Sequence, residues 1–82
     1  MEKNEISSKI KSILISVLKH ENFEMRDDLS AADVDGWDSL THMIIITEIE
    51  ECFGVKFKLK ELNKLNNMIN LLDLVAFKIE QK

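Results

Sequence analysis

Proline is absent from this 82-residue chain, and so are internal repeats and low-complexity tracts. Nothing therefore marks an interdomain linker, and the length fits one domain spanning residues 1–82, with a modest core. Only one cysteine is present, Cys52, so no internal disulfide can form, which fits a reducing compartment. Long apolar runs are missing too. The longest aliphatic stretch, Met43-Ile44-Ile45-Ile46, is only a turn and cannot span a bilayer. The first residues, Met-Glu-Lys-Asn-Glu, lack an apolar signal region, and the expected location is the cytoplasm. What is present is an ordinary soluble composition, 45% hydrophobic and 32% charged, which argues against disorder.

Charge is unevenly placed. The formal net charge of −4 divides into +2 over residues 1–20, −9 over residues 21–51 and +3 over residues 52–82. A central acidic block would repel nucleic acid and attract partners with basic surfaces. The plain alternative is a solvated loop and an ordinary helix surface.

Ile6, Ile10, Ile13, Leu14, Val17 and Leu18 recur at steps of three and four, which predicts an amphipathic helix over residues 4–20. Residues 21–38 lose that rhythm and read as a long connection pinned by Phe23, Leu29 and Val34. Within it, Ser30-Ala31-Ala32-Asp33 matches a capping box and predicts one short turn. A second helix is expected to start at Asp38 or Ser39, either a good N-cap, and to stop at Gly54. Its inward stripe reads Leu40, Met43, Ile46, Ile49 and Phe53, with Ile45 beside it. The alternation Val55-Lys56-Phe57-Lys58-Leu59 has no second strand to pair with and reads as an extended linker docked through its apolar residues. A short helix is expected over 60–65, and a last one from about Asn70, carrying Leu71, Leu74, Val75 and Ile79. The expected fold is all-α, a small four-helix bundle of three longer helices and a short one, with a long loop between the first and second.

Asp38-Ser39-Leu40 at a helix start, then Glu50-Glu51-Cys52-Phe53-Gly54-Val55 where that helix ends, resembles the acyl carrier protein family. The closing run Leu71-Leu72-Asp73-Leu74-Val75 is also similar to the last helix of that family. The likeness covers essentially the whole chain. It implies a non-catalytic carrier whose Ser39 bears a 4′-phosphopantetheine arm, attached from coenzyme A by a phosphopantetheinyl transferase. Acyl groups would ride on that arm as thioesters to acyl-loading and acyl-processing enzymes of fatty acid, polyketide or related biosynthesis. The phosphodiester would lie near unpaired N–H groups at the positive end of the helix.

Docking is expected through Asp38, Leu40, Ile44, Glu50 and Glu51, with Asp38 also a cap and Leu40 partly core-facing. A monomer is expected, with no metal. Cys52 has no part in this chemistry. Trp37 stands where many members have a small or aliphatic residue, and is expected to pack across the loop and helix start. Ile44, His42 and Thr41 also depart from fatty-acid-synthesis carriers, which favours a specialised pathway. The Ile-, Leu- and Met-rich interior could part to admit a short acyl chain.

Other chemistries fare worse. Asp33-x-Asp35-Gly36-x-Asp38 looks like a calcium loop, but its sixth position is Asp38 and its twelfth Ile44. Asp38, Ser39 and His42 on one exposed helix face offer no oxyanion hole. His20 and His42 lack metal-ligand partners at usable spacing and read as surface residues. The serious rival is an unmodified helical adaptor that binds basic surfaces through its acidic second helix.

Overall fold

A computed structural model describes residues 2–81. Among these, the regular elements are all helical: α1 (Lys3–Leu18), a 3-10 turn (Ala31–Asp33), α2 (Ser39–Phe53), α3 (Leu59–Leu62) and α4 (Met68–Glu80). The expected all-α bundle of three longer helices and one short one is the observed architecture. None of the helices is long and apolar enough to cross a membrane.

The core assembles from one stripe of each long helix. Ile6, Ile10 and Leu14 of α1 meet Ile45, Ile46, Ile49 and Phe53 of α2, and Met68, Leu71, Leu72 and Val75 of α4. Side chains at three- and four-residue spacing share a helix face, so each stripe is continuous and excludes water along its length. The long connection after α1 is fastened by burial of Leu29 and Val34 and by two amides of α4. Met68 N–H donates to Leu29 O at 2.7 Å, and Ile69 N–H to Asp27 O at 2.9 Å. Phe23 is half-buried against the same core.

Several boundaries differ from expectation. Helix α1 stops at Leu18 because Lys19 turns into the left-handed region, φ 65°, and its N–H closes on Ile15 O. Helix α4 begins two residues before Asn70. Asn67 is its cap, accepting from the Asn70 N–H at 3.2 Å, while the Asn70 side chain accepts from the Asn66 N–H. The short helix ends at Leu62, with turn-like backbone bonds to Leu65. Val55 is buried and Phe57 half-buried, as the docked linker required, but Leu59 is 73% exposed. The Ser30 box forms its reach-back half: the Ser30 N–H and hydroxyl both donate to the Asp33 carboxylate.

The largest difference lies on α2. Leu40 and Met43, expected to face inward, are 72% and 51% exposed. They sit in the first turn and a half, where neither α1 nor α4 covers that face of the helix. The buried stripe starts later, at Ile45 and Ile46. Neighbouring isoleucines therefore separate sharply, Ile44 at 44% exposed and Ile45 fully buried. Ile45→Ala should cost about 2–5 kcal/mol of stability through lost burial and a cavity. Ile44→Ala should change it by no more than about 0.5 kcal/mol. Thermal unfolding of both variants checks the assignment; equal losses would contradict it.

Candidate functional site

Asp38 has extended backbone and a side chain that folds back over the first turn of α2. One carboxylate oxygen accepts from the N–H groups of Leu40 and Thr41, each at 3.0 Å. The Asp38 N–H donates in return to Thr41 Oγ1 at 2.8 Å. Thr41 passes its own proton to Gly36 O at 2.7 Å, tying the turn to the helix start. Gly36 has φ 85°, a left-handed conformation that glycine adopts without strain. The amide bonds, that of Thr41 foremost, hold the Asp38 carboxyl below its usual range, so it stays anionic at neutral pH.

Capping by Asp38 settles what the first turn leaves open. A helix start has four N–H groups without intrahelical acceptors. Those of Asp38, Leu40 and Thr41 are satisfied within this box. The remaining first-turn amide, that of Ser39, meets no acceptor among the described residues. The expectation of several unpaired N–H groups around Ser39 is thus corrected to one. Ser39 itself is the first helical residue, exposed, and its hydroxyl makes no hydrogen bond among the described residues. It is not the cap. Its oxygen is therefore unhindered and uncommitted.

Beside it, the exposed face of α2 forms a shallow groove lined by Leu40, Met43, Ile44, Thr47 and Glu48. Of the sequence-derived residues, Leu40 and Ile44 meet there; Glu50 and Glu51 do not line it. Glu48 does, although the expectation named only Glu50 and Glu51 among the acids of this helix. Its i+4 and i+1 spacing from Ile44 and Thr47 is a signal the sequence held. Glu51 is exposed in the last turn. Glu50 is half-buried, and its carboxylate accepts from the Phe57 N–H at 2.8 Å, so one of its oxygens holds the chain after α2 in place.

On the other side of the helix start lies a cleft of about 60 Å³ between the long connection and the start of α4. Leu29, Trp37, His42, Leu65, Met68 and Leu71 line it. It has room for a few water-sized groups and none for an extended chain unless the core moves. Trp37 packs over the loop and helix start as expected. His42, expected at the surface, is instead half-buried beside it. The Trp37 indole N–H donates to His42 Nδ1 at 3.1 Å, and the rings stack with centroids 6.1 Å apart. This bond places the imidazole proton on Nε2. His20 is also engaged: Nδ1 accepts from the Asn22 N–H, and Nε2 bonds Asp35 O at 2.7 Å. No group of three or more metal-ligating side chains exists among the described residues.

Comparison with known proteins gives informative matches, although no family model matches the chain. An acyl carrier protein from Petrotoga mobilis is 30% identical over 79 residues, 96% of this chain and 93% of that protein. The solution NMR structure of a holo acyl carrier protein from Geobacter metallireducens is similar at a TM-score of 0.86 and 36% identity. That match covers 93% of this chain and 87% of the other.

Burial pushes His42 below its ordinary value of 6.5, and protonation would also break the bond from the indole. The folded state therefore binds this proton less readily than the unfolded chain. The stability contributed is present above about pH 6.5 and declines as pH falls below it. An NMR titration should give His42 a midpoint under 6.5, with the Trp37 indole N–H resonance moving at the same midpoint. A midpoint at or above 6.5, or an indole signal indifferent to it, would contradict the arrangement.

Proposed function

The chain belongs to the acyl carrier protein family, whose members carry rather than catalyse, and on that premise we propose that Ser39 is the attachment point of a 4′-phosphopantetheine arm. The observation that carries the reading is the division of labour at the start of α2. Asp38 closes the helix, so Ser39 is left with an exposed hydroxyl that no protein group engages.

Those residues fit such a group. The Ser39 oxygen would bond to the pantetheine-side phosphorus as the pyrophosphate linkage of coenzyme A breaks, adenosine 3′,5′-bisphosphate leaving and the hydroxyl proton passing to a base on the separate transferase. When attached, the arm supplies a terminal thiol for thioester chemistry. The chain's own part is to hold Ser39 at the tip of a rigid helix and to keep the arm from adhering to it. With one free N–H nearby and the Asp38 carboxylate anionic, the helix start offers a phosphodiester little grip. A weakly held arm is suited to swinging into enzyme active sites. Tethering then raises the effective concentration of cargo at a docked enzyme.

Docking is proposed for the exposed face of α2. Leu40 and Ile44 supply apolar contact beside the groove, Asp38 and Glu51 supply negative charge, and Glu50 contributes its remaining carboxylate oxygen. Each exposed ion pair is weak, and several together steer and orient a partner without trapping it. The cargo pathway is read as fatty acid, polyketide or related specialised biosynthesis in the cytoplasm, with the chain a single monomeric domain. Admission of a short acyl group to the interior would start at the cleft beside Trp37 and His42.

Incubation with a broad-specificity phosphopantetheinyl transferase, magnesium and coenzyme A should add one phosphopantetheine to the intact mass. Ser39→Ala should add none while retaining its melting temperature. An unmodified wild-type chain would favour the adaptor reading. In the same assay Leu40→Ala and Ile44→Ala should slow modification without unfolding the bundle, since both side chains are exposed. Unchanged rates in both would remove this face from the transferase contact.

A further inference from the structure

The segment that joins α2 to α4 carries Lys56, Lys58, Lys60 and Lys64 and no arginine. All four lysines are exposed, and none forms a salt bridge among the described residues, although the Lys58 charge acts on nearby Glu61. The segment's own acid, Glu61, is turned inward. Its carboxylate accepts from the Lys58 N–H at 2.8 Å and pairs with Lys78 of α4 at 2.9 Å. Between the lysines stands Leu59, 73% exposed at the first residue of α3. Counting half-buried Glu50, whose carboxylate meets the Phe57 N–H, and exposed Glu51 of α2 against the four lysines still leaves two positive charges along the segment that carries the exposed leucine. In a chain of net charge −4, this is a surface of opposite sign.

Its position matters. Helix α2 has Ser39 at one end and runs into this segment at the other, about 22 Å away at 1.5 Å per residue. The start of the segment is held against the last turns of α2, with Val55 N–H on Glu50 O and Phe57 N–H on the Glu50 carboxylate. Lys56, Lys58 and Leu59 therefore occupy the end of the molecule remote from Ser39.

We propose that this end rests on anionic phospholipid bilayers, with Lys56, Lys58 and Lys60 over the headgroups and Leu59 at the headgroup–acyl boundary. Composition favours lipid over a protein partner. Protein interface centres are enriched in arginine, tryptophan and tyrosine and depleted in lysine. Lysine is a compact, hydrated point charge without the fork that recognises individual carboxylates, and lysines beside leucine suit a diffuse anionic surface. The remaining acids repel the same surface, so attachment is weak, oriented and sensitive to salt. Seated this way, the Ser39 end and the exposed face of the first half of α2 stay open to an enzyme.

The test uses the full chain, both as purified and carrying its prosthetic arm, with mixed phosphatidylcholine–phosphatidylglycerol vesicles and pure phosphatidylcholine vesicles at low salt. Co-sedimentation should occur with the mixed vesicles alone and disappear at high salt, with amide resonances of 55–64 perturbed most. Each of Lys56→Gln, Lys58→Gln and Lys60→Gln should lower partition about five-fold. Leu59→Ser should lower it further, with unchanged melting temperatures, because these side chains are exposed. Ser39→Ala should bind like the parent, so this inference and the carrier reading stand or fall separately. Equal partition to both vesicle types, or partition that survives the combined lysine and leucine changes, overturns the proposal. So does an oligoglutamate peptide that shifts the 55–64 resonances when vesicles do not; the patch would then be a protein-docking surface.

Discussion

The bonds from the Leu40 and Thr41 amides to the Asp38 carboxylate fix where α2 begins, and the site depends on where it begins. A cap residue is held in extended backbone with its side chain folded over the first turn. Had Ser39 filled that place, its hydroxyl would accept an amide proton and lie against the helix. Because Asp38 fills it, Ser39 is the first helical residue, with its oxygen in water. The same start agrees with the core. Counting at 100° per residue, Leu40, Met43 and Ile44 fall on the open side while Ile45, Ile46, Ile49 and Phe53 fall against α1 and α4. Cap and burial specify one helix phase between them, and local and global preferences that agree favour a single native state.

The loop that delivers Asp38 is long, and a long loop without internal support would leave the helix start undefined. This one is fastened along its length. Leu29 and Val34 are buried, two α4 amides close on its carbonyls, and the His20 ring bridges the end of α1 to Asp35. Gly36 then reverses the chain and Trp37 covers the junction by its bond to His42, one turn into α2. Thr41, bonded both to Gly36 O and to the Asp38 amide, belongs to the loop and the helix at once. Three of the four residues expected to depart from the fatty-acid-synthesis pattern, Trp37, Thr41 and His42, thus lock this junction, while the fourth, Ile44, is exposed outside it. The role of those three is accounted for within the chain itself.

Much of this was legible in the residues. The periodicity of α1, the glycine stop after Phe53, the anchoring of the loop by Leu29 and Val34, and the Asp38-Ser39-Leu40 start all followed from spacing and capping chemistry. What was not legible depends on neighbours that a one-dimensional pattern does not contain. Leu40 and Met43 continue a three-residue spacing with Ile46 and Ile49, yet they lie on the face of α2 that neither α1 nor α4 covers. Asn67 and Asn70 are both good caps, and the Met68 amide bond to Leu29 O selects the earlier start. His42 carries no periodic signal. Its half-burial comes from Trp37, five residues back, folding across it. The competition between Asp38 and Ser39 for the cap was also open in sequence, since either side chain can accept the amides.

Helix α2 is divided around its axis. One face exposes Leu40, Met43 and Ile44 beside Ser39, and the opposite face buries Ile45, Ile46, Ile49 and Phe53, while Glu50 is lent to the next segment. Side chains proposed to serve recognition are therefore mostly not those that hold the bundle together. Sites without shared partners vary nearly independently, so such a helix can change the exposed residues near Ser39 while its packing face stays fixed. Exposed aliphatics in a shallow groove, without tryptophan, tyrosine or arginine among them, also lack the side chains that dominate tight interfaces. Contacts of the kind proposed for this face would be short-lived. A carrier that must part from each enzyme after delivery requires this, and the buried face of the same helix ensures that what it presents is always in the same place.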